Sequence, residues 1–225
     1  MRRSIIATVA GLVLTVGLAA PAMAANDPTT WQTGFPPATA IGPTLGTYTE
    51  APDVTAEKFK GRWYVCGDLQ ARPTAGIATA NYVTTPITRS GVRADARVYS
   101  SPGAAKAAFT AIRSGLKKCV GSSVQESEPG SGVKWVVTTS VGSVPSVTVD
   151  GVSSLSVYNR EKPAKGSKAT QKQLGSNLSV LTLVGDTILV SDAAVEGKSS
   201  MSKAQRDAVG SFAGAFVDSW TKANG

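Results

Sequence analysis

The sequence predicts an α+β domain: a twisted antiparallel sheet with two amphipathic helices packed on it and a single disulfide. Three observations carry that prediction. Residues 92–99 alternate apolar and polar, as a half-buried strand does. Two segments, 105–116 and 209–220, repeat apolar residues at helical spacing. Gly185-Asp186 separates two apolar runs rich in β-branched residues, the pattern of a tight hairpin.

The chain opens with a segment that reads as a signal peptide over residues 1–24. Arg2 and Arg3 supply its positive start, Ile5 to Ala20 an apolar stretch, and Ala22-Met23-Ala24 the small residues of a cleavage site. The apolar stretch is shorter than the ~20 residues a spanning helix needs. No cysteine near the cleavage site is placed to carry a lipid. The expected product is secreted, with cleavage near Ala24 and without stable membrane insertion. Loss of Arg2 and Arg3 lowers the net charge from +8 to +6.

Residues 25–52 hold prolines at 28, 36, 37, 43 and 52. That spacing predicts an extended Pro/Thr-rich tail without helix or strand, which Trp31, Phe35 and Tyr48 would allow to dock. The body, one domain over residues 53–225, starts with a short helix expected over Thr55–Phe59, capped by Asp53 or Thr55 and stopped at Gly61. Trp63 to Cys66 reads as buried apolar chain.

In the strand from Val92 to Tyr99, Val92, Ala94, Ala96 and Val98 share the packed face, and Arg93, Asp95 and Arg97 share the solvated one. Ser100 or Ser101 then caps a helix with Pro102 in its first turn. Its stripe is Ala105, Ala108, Phe109, Ile112 and Leu116. Cys119 follows on that stripe, so its thiol is expected to face the core. Strands are expected at Val133–Thr139, with Trp135 inward, and at Val147–Val149 and Val152–Tyr158 around an Asp150-Gly151 hairpin. Residues 160–172 read as a basic loop. Leu178–Val184 and Thr187–Ser191 are apolar on both faces, which places them centrally in the sheet. A last helix starts at Ser202 with a capping box completed by Gln205, and its stripe runs through Val209, Phe212, Ala213, Phe216 and Trp220.

Composition narrows the chemistry. The chain has no histidine, so Ser-His-Asp triads, Cys/His pairs and histidine metal sites are excluded. Two cysteines are too few for a thiolate zinc site. In an oxidising compartment Cys66 and Cys119 are expected to pair, closing a loop of about 54 residues for roughly 4 kcal/mol in the chain-entropy view. No cofactor and no metal are called for. The positive charge is mixed along the chain and accompanies no nucleic-acid reading motif; it suits anionic envelope polymers or lipid headgroups better than nucleic acid.

Three segments, ARVYSSPGAAKAAFTAIRSGLKKC, LTLVGDTILV and the helix ending near Trp220, give the body its resemblance to the extracellular sensor-type domains of actinobacteria, including the ectodomain of the mycobacterial PknH-type Ser/Thr kinases. The resemblance implies one α+β domain with a cleft for an unidentified ligand. It departs from those ectodomains in having one disulfide where they carry two, and in lacking a kinase domain or membrane anchor, so signalling through an attached kinase is not expected. No cleft residue carries over.

The expected function is therefore an exported, non-catalytic binding module that captures a small molecule, lipid or envelope component in a cleft. Trp63, Arg93 and Arg97 are the candidate ligand-binding residues. The first alternative is a protein-interaction or inhibitor protein at the cell surface. The second is a hydrolase whose paired carboxylates would be Asp186 and Asp192.

Overall fold

The computed structural model describes residues 27–48, 51–61, 64–65, 68–69, 74–83, 91–142, 152–170, 172 and 174–225, with 64–65 and 68–69 described by backbone alone. The expected signal peptide, the Asp150-Gly151 hairpin, Trp63 and Cys66 lie outside these residues.

Strands form where residues fit a pleated, half-buried surface. An eight-stranded antiparallel sheet is assembled from β1 (Asp53–Glu57), β4 (Gly76–Tyr82), β5 (Gly91–Val98), β6 (Gly121–Glu126), β7 (Lys134–Val141), β8 (Ser153–Pro163), β9 (Gly175–Val184) and β10 (Thr187–Glu196). Its order is β1-β4-β5-β10-β9-β8-β7-β6. A separate ribbon pairs β2 (Tyr64–Val65) with β3 (Asp68–Leu69). The β9–β10 hairpin turns through Gly185, whose φ of 55° is a conformation open to glycine at no steric cost. Both strands are central, as their two-sided apolar character predicts.

Helix α2 (Pro102–Leu116) begins at its Ser101 cap, whose hydroxyl accepts from Ala104 N at 3.2 Å. Helix α3 (Lys203–Asn224) begins at Ser202 with the reciprocal Ser202–Gln205 capping box. The two helices lie on opposite faces of the sheet. The α2 stripe packs on Leu155, Val157, Leu181, Ile188 and Val190. The α3 stripe packs on the other face, over Ala78, Ala80, Val92, Ala94, Leu178 and Leu189. Leu189 faces α3 while its neighbours Ile188 and Val190 face α2, which is the period-two alternation of a strand buried on both sides.

Three expectations need correction. The helix expected at Thr55–Phe59 is instead the edge strand β1, because pairing with β4, Thr55 against Thr79 and Glu57 against Ile77, overrides the helix-favouring composition. Residues 160–163 of the expected basic loop continue strand β8, where Arg160 pairs with Ser176 and Lys162 with Val136. The expected extended tail contains α1 (Pro28–Gln32) and two 3-10 turns, Ala38–Ala40 and Pro43–Leu45. Its prolines start these elements, since proline costs nothing in a first turn where the missing N–H has no partner to lose. Trp31, Ile41, Leu45 and Tyr48 are buried with the α3 core, and Phe35 stacks on Phe216 at 5.0 Å. Of the expected Cys66–Cys119 pair, only Cys119 falls within the described residues. Cys119, in a 3-10 turn after α2, is half-buried beside the α2 core, and no described cysteine is a free thiol.

Candidate functional site

Helix α2 covers only part of its sheet face. After Leu116 the chain tightens into the turn Lys117–Cys119 and enters β6, so the far ends of β7 to β10 stay uncovered on this side. The result is an open trough of about 590 Å³, within the range of small-molecule sites. Leu116 and Cys119 close one end, and Ser123 and Gln125 of β6 stand along one side.

Sheet register builds the floor. Thr139 pairs with Asn159, and Asn159 with Asn177, so one polar residue from each of β7, β8 and β9 stands in a row across the trough. Thr139 Oγ1 donates to Asn159 Oδ1 at 2.8 Å, which fixes the amide and leaves its nitrogen as a donor. Asn177 Nδ2 donates to Asp192 Oδ1 at 2.7 Å, and Ser179 Oγ donates to the same oxygen at 2.5 Å. Asp192, on the same face of the adjacent strand β10, thus orients Asn177 from the side. Val137 and Val157 flank this row with apolar surface.

The charges at the open end are acidic. Glu161 and Glu196 line it, and Glu161 Oε2 accepts from Gly175 N at 2.8 Å. Among the described lining residues there is no lysine or arginine, although the chain carries a formal net charge of +8. The trough is therefore built for hydrogen bonding with an uncharged or cationic group.

The candidate arginines lie elsewhere. Arg93 and Arg97 stand on the same sheet face but on β5, the strand next beyond β10, and neither lines the trough. Both turn to Asp95, at 3.0 Å and 3.9 Å, and Thr79 Oγ1 donates to that carboxylate at 2.6 Å. Burial lowers the Arg97 pKa and Asp95 opposes the shift. Arg97 and Asp95 are partly buried in this cluster, and Arg93 is half-exposed at its edge. Trp63 is outside the described residues. Trp220 is core, whereas Trp135 is only half-buried, on the face of Val137.

The carboxylates considered for hydrolysis are not brought together. Asp186 occupies the β9–β10 turn, where it is buried and accepts from Thr187 Oγ1 at 2.9 Å. Burial raises its pKa and the Thr187 hydroxyl opposes that. Asp192 is six residues further along, about 20 Å at strand rise, well beyond the roughly 5–9.5 Å of a glycosidase pair.

Sequence reasoning missed the trough because its polar residues are scattered over four strands. Thr139 alone stands between apolar neighbours on its face, Val137 and Val141; Asn159 lies between Val157 and Glu161 and Asn177 between Gly175 and Ser179, so the row had no local signal of its own.

The sequence model of the family described as PknH-like extracellular domain matches residues 7–187. Among solved structures, the extracellular domain of PknH from Mycobacterium tuberculosis has a TM-score of 0.59 and 11% identity to this chain, covering 88% of this chain and 98% of that one. At that identity the likeness is one of fold. No curated protein matches the chain significantly.

Proposed function

The chain belongs to the family of PknH-like extracellular domains, and on that premise we propose that it is a non-catalytic binding module outside the cell whose ligand site is the trough beside α2. The observation that carries this reading is the row Thr139–Asn159–Asn177, set by sheet register at the bottom of a cavity that α2 leaves open. Fixed amides and hydroxyls on rigid strands give orientation without chemistry: nothing in the row is a nucleophile paired with a base.

The ligand class follows from the lining. An acyl chain needs an enclosed apolar slot, and this trough is open with a polar floor. An anionic polymer needs cations, and the described lining offers none. An uncharged polar component of the envelope fits the amides best. The test is native mass spectrometry of the protein purified from its own host, alongside N159A and N177A. The wild type should carry an additional mass that each variant loses while its melting temperature stays close to the parent's. Retention of that mass by both variants would place the site elsewhere.

Export by a signal peptide over residues 1–24 and a Cys66–Cys119 disulfide complete the proposal. Extracellular family membership supports both, as does Cys119 not being a free thiol. Such a bond would tie the segment before β4 to the end of α2, at the closed end of the trough. Thiol titration of the unfolded, unreduced protein should find no free sulfhydryl, and reduction should cost about 4 kcal/mol of stability. Two titratable thiols would remove the bond from the proposal.

A further inference from the structure

We propose that the outer edge of β6 is a docking edge for a second copy of this chain, which would pair with it antiparallel about a two-fold axis at Val124. Edge strands expose a row of unpaired N–H and C=O groups, and proteins blunt them with charges, prolines, bulges or covering segments. The two edges of this sheet differ in that respect. β1 carries Asp53 and Glu57 at its ends and has α1 packed near it. β6 reads Gly-Ser-Ser-Val-Gln-Glu, with no lysine, arginine or proline, and its register with β7 is unbroken from Gly121 to Glu126. Among the described residues, no strand pairs with its outer side.

The apolar surface and the charges point to the same occupant. Among the described residues, the two most exposed large hydrophobics are both here, Val120 at 56% and Val124 at 65%. Exposed Lys117 and Lys118 stand in the turn before the strand, while Glu126, ion-paired with Lys134 at 3.5 Å, ends it and exposed Glu128 follows. An antiparallel self-pairing sets the basic end of one copy beside the acidic end of the other. A parallel pairing would oppose like charges. In a two-fold antiparallel pair each on-axis residue faces itself, so Val124 meets Val124 with Cβ atoms about 4.5–5.5 Å apart, and the apolar group most exposed in the monomer is covered.

The pairing bears on the trough as well. Ser123 and Gln125 line it from β6. With Val124 on the axis, Gln125 of the second copy stands opposite Ser123 on the same face, so the dimer extends the polar wall of each trough.

A single strand pair is a small interface, under ~1,200 Å², so the dimer is weak and its dissociation constant falls in the micromolar range or above. Sedimentation equilibrium should show a monomer–dimer exchange for the full exported chain. V124K sets two ammonium groups on the axis and should weaken association by about 50-fold or more while leaving the melt unchanged, since the position is solvated in the monomer. V124C should form a disulfide-linked dimer under oxidation, and S122C, off the axis, should not. A wild type that stays monomeric at about 1 mM, above the weak-interface range, would overturn the proposal. So would a dimer whose association V124K leaves unchanged.

Discussion

Replacing Trp31 with alanine tests whether the N-terminal segment is part of the folded body. Trp31 is 2% exposed and shares a cluster with Ile41, Leu45, Tyr48 and the α3 stripe. The segment is also tied by hydrogen bonds from Tyr82 Oη to the Pro36 carbonyl at 2.7 Å and from Gln205 Nε2 to the Thr44 carbonyl at 3.3 Å. Truncating a buried tryptophan costs about 3–5 kcal/mol. For a domain of this size each kcal/mol moves the melt by roughly 2–4 °C, which gives a drop of about 6–20 °C. G76A approaches the same contact from the sheet side: a Cβ on Gly76 would collide with the Trp31 indole ring. Thermal denaturation followed by circular dichroism should show one cooperative transition, lowered in both variants. A W31A melt within about 3 °C of the parent would mean the segment is an appended tail, and the packing argument would fail.

Other outcomes follow from local chemistry. S202A removes the acceptor for Gln205 N at 3.2 Å and should cost about 1 kcal/mol, read as a melt lowered by a few degrees. D192A leaves Asn177 and Ser179 without their common acceptor, so the side-chain amide resonances of Asn177 should broaden or shift in NMR spectra while those of Gln205 hold their place. Alkaline stability depends on two buried tyrosines. Burial pushes the Tyr48 hydroxyl up to about 12 and also raises that of Tyr82. The unfolded chain releases these protons near pH 10, and the folded one holds them. Their contribution is thus complete below pH 10 and is lost as pH climbs through the folded values, by about 1.4 kcal/mol per pH unit for each tyrosine. Denaturant titrations between pH 9.5 and 11.5 should show a shallower decline in Y48F/Y82F than in the parent, and equal slopes would contradict the burial argument.

The legible parts of the fold were those whose signal is local and periodic. Val92 to Val98 shows its face in four alternate residues, and the α2 and α3 stripes, the Ser202–Gln205 box and the Gly185-Asp186 turn are each contained within a few residues. What escaped was set at a distance. Thr55–Glu57 is a strand because β4 lies beside it, and Gly121–Glu126 has no alternation to announce β6. The prolines of residues 28–43 suggested a chain without structure, yet they open short helical turns that α3 holds in place. The trough was illegible for the same reason: Thr139, Asn159 and Asn177 are far apart in sequence, and only register makes them neighbours.

The two faces of the sheet were solved differently, and that difference is what creates the trough. On the α3 side, a 22-residue helix and the N-terminal segment together cover the sheet, and the cluster there includes Tyr158 and Val195 as well as the β4 and β5 alanines. On the α2 side, a 15-residue helix spans about 22 Å and ends at Leu116, short of the strand ends that β8, β9 and β10 extend past it. A sheet face left uncovered must carry polar residues or expose apolar ones. Here Thr139, Asn159 and Asn177 replace the leucines and valines found under the helix, and Asp192 and Gly175 hold their neighbours in fixed geometry. Lengthening α2 by a turn or two would close the trough and call for valine or leucine at those three positions. The polar row and the short helix are therefore one feature, and a ligand in the trough would occupy the place of the missing turns.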